Sequence, residues 1–166
     1  IVKNYLVQEH PEVIMDAMRE LQKRDQATAE AKADTAIKAN ADKIFNDPAT
    51  PVGGNPKGDV TIVEFFDYQC GYCKMSEPFL EKQLQDDKGV RFIYKEFPVL
   101  GPASVAGAKA ALAGFRQNPG LYVKFHDALM GRKEHLNDDI IYQTAQSVGY
   151  DVDKLKKDSD SDAVEK

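Results

Sequence analysis

Val63-Glu64-Phe65-Phe66-Asp67-Tyr68-Gln69-Cys70-Gly71-Tyr72-Cys73 (VEFFDYQCGYC) contains the only two cysteines of the chain, three positions apart, directly after a run of apolar and aromatic residues. Residues 59–68, DVTIVEFFDY, form a short apolar run rich in β-branched and aromatic side chains, the pattern of a buried central strand. From Tyr72 to about residue 85 the pattern is helical, with Met75, Phe79, Leu80 and Leu84 on one side and Pro78 expected to kink the helix. A strand thus delivers Cys70 to the opening turn of a helix.

Three chemistries compete for such a pair. A tetrahedral zinc site needs four ligands, and there is neither a second cysteine pair nor a histidine pair at ligand spacing, since His10, His126 and His135 stand apart. A passive disulfide would close a very small loop and remove little entropy from the unfolded chain. The redox reading has a mechanism. Unpaired backbone N–H groups and the dipole at a helix start favour a thiolate at Cys70, the form that attacks disulfides. Cys73, one turn further in, can then attack the mixed disulfide and release the substrate.

Gly71 and Tyr72 stand between the sulfurs and are the candidate substrate contacts. Glu64, a carboxyl inside an apolar strand six residues before Cys70, is either turned to solvent by strand alternation or buried. Its apolar neighbours favour burial, which raises a carboxyl pKa and would let it shuttle a proton for Cys73. Asp67 and Tyr68 read as residues that cap or pack the turn. His126, on an apolar helix face, reads as a core histidine.

Outward from this centre, "VRFIYKEF" (residues 90–97) reads as a second strand stopped by Pro98, and the remainder is helical, with Asn137 and Asp151 as caps and Gly149 as a stop. Residues 46–58, NDPATPVGGNPKG, dense in Pro, Gly and Asn, end the arm and start the domain. Residues 1–47 form a separate arm, with a helix start at His10-Pro11-Glu12. Its narrow apolar stripe of Ile14, Met18 and Leu21 suits either a helix lying on the main domain or an arm that packs against copies of itself.

The 166 residues carry a net charge of −5, with 42% hydrophobic and 30% charged residues, an ordinary balance for a globular protein with no basic patch for nucleic acid. No apolar stretch reaches the roughly 20 residues of a membrane span. The first residues lack the apolar core of a secretory signal, and a start at Ile1 suggests a mature or trimmed form.

Residues 50–74, TPVGGNPKGDVTIVEFFDYQCGYCK, together with KEFPVLGPAS and YVKFHDALM, resemble the DsbA-like bacterial thiol–disulfide oxidoreductases. The arm, YLVQEHPEVIMDAMRELQKRDQ, is similar to that of their suppressor-of-copper-sensitivity C subgroup. The resemblance implies an α/β thioredoxin fold over residues 48–166 with a helical insertion at about 101–157, preceded by an oligomerisation arm at 1–47. It implies Cys70 as nucleophile, Cys73 as resolving thiol and Glu64 as buried acid. It also implies a periplasmic setting and no cofactor. The partners it implies are misfolded exported proteins, a membrane redox partner that resets the pair, and two further copies in a trimer built on Ile14, Met18 and Leu21.

The family places a cis-proline before its last strands and helix. Pro78, Pro98, Pro102 and Pro119 all precede that point, so the carboxy-terminal third of the fold is expected to lie outside this sequence. The function expected is disulfide isomerisation or reduction. The alternatives are a monomeric dithiol oxidase, or Cu(I) binding at Cys70 and Cys73, two thiolates being suited to that soft ion.

Overall fold

The computed structural model describes residues 2–161. The chain divides into two units, residues 1–47 and 48–166.

The first unit is helical: α1 (Val2–Asn4), a π-helical turn over Tyr5–Glu9, α2 (Pro11–Ala39) and α3 (Ala41–Phe45). Pro11 opens α2, where its missing N–H has no partner to lose, and Glu12 sits at the positive end of the dipole. Alanine-rich composition and exposed pairs such as Arg24–Glu20 and Arg19–Asp16 support the helix, each pair contributing about 0.3–0.5 kcal/mol. None of the 29 residues of α2 is buried. Ile14, Met18 and Leu21 form an exposed stripe along it.

The second unit is built on a sheet of β1 (Val52–Gly54), β2 (Val60–Phe66) and β3 (Val90–Glu96), in the order β1-β3-β2. Strands β2 and β3 are parallel, with Glu64 beside Tyr94 and Phe66 beside Glu96, and β1 runs antiparallel to β3. Two expectations are corrected here. The central strand among the described residues is β3, whose Phe92, Ile93 and Tyr94 are all buried, while β2 lies at the edge with only Phe66 fully buried. And the stretch that opens the domain contributes a third strand, beyond the two that the pattern predicts. Its glycines disguised it, yet one of them is what the packing demands. A Cβ on Gly53 would fall 2.8 Å from the Tyr94 ring, so only glycine lets β1 close over that side chain.

Helix α4 (Gly71–Asp86) makes the crossover between the parallel strands and runs through Pro78 without interruption. Its inward side also differs from expectation. Leu80 and Leu84 pack on the core and Glu77 is buried, whereas Met75 and Phe79 are 68% and 76% exposed.

After β3 come α5 (Pro102–Gln117), a 3₁₀ turn at Pro119–Leu121, α6 (Tyr122–Met130), α7 (Asp138–Val148) and α8 (Val152–Ser159). Asn137 and Asp151 cap α7 and α8 through their side chains, and Gly149 ends α7 with a φ of 105°. Buried Ala108, Ala110, Ala111 and Ala113 let α5 approach its neighbours closely, and Phe125 and Leu129 of α6 complete the core with Phe66, Phe92 and Tyr94.

Candidate active site

Cys70 is the N-cap of α4: its backbone is extended, its N–H donates to the Asp67 carbonyl at 3.0 Å, and its own carbonyl accepts the Lys74 N–H at 3.1 Å. The turn before it is clamped by one side chain. Asp67 Oδ1 accepts the Gln69 N–H at 2.7 Å, and Asp67 Oδ2 accepts the Val99 and Leu100 N–H groups at 2.9 and 3.0 Å. This buried carboxylate ties the loop after β3 to the cysteine turn. Gly71 and Tyr72 follow on the exposed side, Tyr72 being 85% exposed.

The two cysteines are free thiols, both half-buried. The Cys73 N–H points at Cys70 Sγ, 3.4 Å away. The Cys70 thiol is held below its ordinary pKa, first by a hydrogen bond from the Cys73 thiol and then by the Cys73 N–H. Burial and the Asp67 carboxylate oppose the shift, and the Tyr72 N–H adds to it. Cys73 is pushed up to about 11, first by burial and then by its bond to the Cys70 sulfur. Two identical side chains one helical turn apart are therefore made unequal, one poised as thiolate and the other kept as thiol.

Glu64 lies on the face of β2 that carries Ile62 and Phe66, the face turned to the core. Its pKa is raised, first by burial and next by the charge of Glu77, with His126 acting in the opposite direction. The Glu64 charge also raises Cys73, as the smallest of its causes.

Beneath the cysteines lies a buried polar cluster, of which the sequence pattern announces only His126. His126 is fully buried, ringed by Phe66, Tyr94, Tyr68 and Tyr122 with centroids at 4.6, 4.7, 5.5 and 6.0 Å. Its Nδ1 is 3.2 Å from the Tyr68 hydroxyl, and its Nε2 is 3.4 Å from Glu77 Oε1. The Tyr68 and Tyr122 hydroxyls both donate to Glu96 Oε1, at 3.2 and 2.9 Å, and burial raises the Glu96 pKa well above its usual range. A Cβ on Gly107 of α5 would come within 3.1 Å of the Tyr68 ring, so that glycine sets how closely Tyr68 can pack. His126 is thus a core histidine, with Nδ1 at the Tyr68 hydroxyl and Nε2 facing Glu77 without a hydrogen-bond partner. Its signal in the sequence was only its apolar surroundings; Glu77 and Glu96 carried none, because their burial is a product of tertiary packing.

A strand, a cysteine pair opening a crossover helix and a helical insertion define a thioredoxin-like protein. The chain belongs to the DSBA-like thioredoxin domain family, which matches residues 61–166. Residues 1–28 match the copper resistance protein ScsC N-terminal domain.

A thioredoxin-like oxidoreductase from Silicibacter pomeroyi DSS-3 is 44% identical with a TM-score of 0.70, covering 75% of this chain and 70% of that one. The catalytic domain of Proteus mirabilis ScsC is 28% identical with a TM-score of 0.67, covering 75% of each chain. Disulfide bond formation protein D of Bacillus subtilis (strain 168) is 30% identical over 87 residues, which is 50% of this chain and 39% of that protein. A Na(+)/H(+) antiporter, NhaA 3 of Salinispora tropica, is 29% identical over 108 residues, covering 64% of this chain. The chain spans only 16% of that antiporter's length. No helix among the described residues is long and apolar enough to cross a membrane.

Proposed function

We propose that the chain is a thiol–disulfide oxidoreductase of the periplasm that reduces and isomerises disulfides in exported proteins. The observation that carries this reading is the inequality of the two thiols at the start of α4, Cys70 lowered and Cys73 raised. The Cys70 thiolate attacks a client disulfide, forming a Cys70–client bond and releasing one client sulfur as thiolate. Two outcomes follow.

In isomerisation, a client thiolate re-attacks and expels Cys70 with no net redox change. In reduction, the Cys73 S–H bond breaks and its proton passes to Glu64. The Cys73 sulfur bonds Cys70, and the second client sulfur leaves, so two electrons reach the client and the pair ends oxidised. A redox partner in the membrane must then return two electrons. Exposed Tyr72 and Gly71 contact the client, with exposed Met75 and Leu100 adding apolar surface nearby. Disulfide chemistry of this kind belongs in an oxidising compartment.

The arm supports the isomerase arm of the reading. Ile14, Met18 and Leu21 lie exposed along a helix that buries nothing of its own, and covering them against two further copies would assemble three active sites around one client. Charged substitutions at these three positions should give monomers by light scattering. An unchanged mass removes the trimer.

The function itself is tested by refolding a scrambled-disulfide substrate. Wild type should rescue it and Cys70→Ser should not; equal rescue by both would sink the reading. A second reading, Cu(I) held between Cys70 and Cys73, draws on the match of residues 1–28 to a copper resistance protein's domain. Stoichiometric Cu(I) uptake by the reduced protein without activity on scrambled substrate would favour it.

A further inference from the structure

Among the described residues, one cluster away from the cysteine pair has the make-up of a metal site. Glu77 of α4 and His126 and Asp127 of α6 each bring one ligand-type atom within 4.8 Å of the others. Glu77 and His126 are 6% and 0% exposed, and each keeps a buried polar atom, Glu77 Oε2 and His126 Nε2, without a hydrogen-bond partner. Two such orphans in one place are costly, and a bound ion would give both a partner.

The spacing distinguishes an ion site from a direct bond. His126 Nε2 stands 3.4 Å from Glu77 Oε1. A charge-assisted hydrogen bond between the two would close to about 2.7–2.9 Å. Two ligand atoms held at about 2.0–2.2 Å around one tetrahedral zinc stand about 3.3–3.6 Å apart. The observed separation is that of co-ligands.

The surroundings of His126 suit the same use. The Tyr68 hydroxyl donates to Glu96 Oε1, which leaves its oxygen to accept from His126 Nδ1 at 3.2 Å. The lone pair of the ring is then on Nε2, the nitrogen that faces Glu77. A metal-ligating histidine is ordinarily held in this way, its other nitrogen hydrogen-bonded so that tautomer and ring angle are fixed. Phe66, Tyr94 and Tyr122 pack around the ring. Asp127 is only half-buried, which opens the cluster to solvent on one side and gives an ion a way in. Burial pushes its carboxyl up to about 6, so at neutral pH it is ionised and can ligate.

We propose that Glu77, His126 and Asp127 form a binding site for a divalent transition metal of the zinc class, with water completing the coordination, and that the ion staples the cysteine helix α4 to α6. One imidazole and two carboxylates suit Zn(II). Calcium, which takes six to eight oxygens, is poorly served by this set. Neither thiol is a ligand, so the inference stands apart from the oxidoreductase reading and from Cu(I) at the cysteines.

The test is calorimetric titration of zinc chloride, at neutral pH, into the metal-stripped full chain carrying Cys70→Ser and Cys73→Ser, so that no thiolate can take the ion. One equivalent should bind. At about hundredfold excess over Kd the melting temperature should rise by about 5–10 °C. Asp127→Asn and His126→Gln, each added to the same chain, should weaken binding by more than about tenfold and remove most of that rise.

Absence of zinc uptake overturns the proposal. So does uptake that both variants leave unchanged, since the ion would then sit on His10 or His135. Should His126→Gln fail to fold, Asp127→Asn decides alone, and undiminished binding overturns the site. A chain that binds zinc here while the wild type rescues no scrambled substrate removes the oxidoreductase reading alone. A wild type that rescues it while the serine chain takes up no zinc removes only the metal site.

Discussion

Helix α4 has two faces that share one backbone and almost nothing else. The outer face presents Tyr72, Met75 and Phe79, all strongly exposed. The inner face presents Cys73, Glu77, Leu80 and Leu84, half-buried or buried against the sheet and α6. Cys70, at the helix start, belongs to neither and touches both. The difference teaches that the reactivity of the pair is an effect of depth. The outer thiol is made easier to ionise, first by the Cys73 thiol and then by N–H donors of the helix turn, and the inner one is made harder to ionise by burial and by the sulfur above it. Glu77, buried, and Glu64, half-buried, face the inner side.

The comparison can be broken most completely at the sulfurs. Cys70→Ser should abolish disulfide exchange, while Cys73→Ser should leave the first attack intact and trap a Cys70–client mixed disulfide, visible as a mass adduct. If both variants trap adducts equally, the inner and outer roles are wrongly assigned.

Glu64→Gln should slow the resolving step by about 10²-fold, the size of a general-base contribution, without altering first attack. Rapid-quench separation of the two steps checks this, and equal slowing of both would show that Glu64 acts on Cys70 instead.

Stability sharpens the same contrast. Leu80→Ala, on the inner face, should destabilise the fold by about 2 kcal/mol, whereas Phe79→Ala, on the outer face, should stay within about 0.5 kcal/mol. Denaturant midpoints measure both. Comparable losses would mean that the outer face is covered.

The smallest effect is expected at Tyr72. Tyr72→Ala should weaken client binding through KM by about threefold, a loss of about 0.7 kcal/mol, with the resolving step untouched. A change in kcat alone would move Tyr72 from contact to chemistry.

How far the sequence could be read follows from the same two faces. The strand–cysteine–helix succession was legible because it is local: an apolar run, then a helix start, with caps at Asn137 and Asp151 written as single residues. The order of strands was not. Gly53 and Gly54 do not announce a strand until Tyr94 is seen to need the space above Gly53. Phe79 looked as inward as Leu80 because a stripe of apolar residues does not say which edge of it meets the core.

In the site, Glu64 stood out because its neighbours in the strand are apolar. Glu77, a charged residue in a helix otherwise rich in charge, gave no such contrast, and its burial depends on α6 from another part of the chain. The cause of the Cys70 shift was legible only in part. Helix-start donors were expected, yet the first cause is the neighbouring thiol, a contact that spacing permits but does not dictate.

The central claim is that the two sulfurs ionise apart, and thiolate absorbance near 240 nm, followed across pH in the reduced protein, tests it most directly. A lowered pKa means more thiolate at a given pH, so the first thiolate should form below the ordinary cysteine value of about 8.5, and should vanish in Cys70→Ser. The second should form only as the pH approaches about 11. A single transition at the ordinary value, shared by both cysteines, would contradict the account.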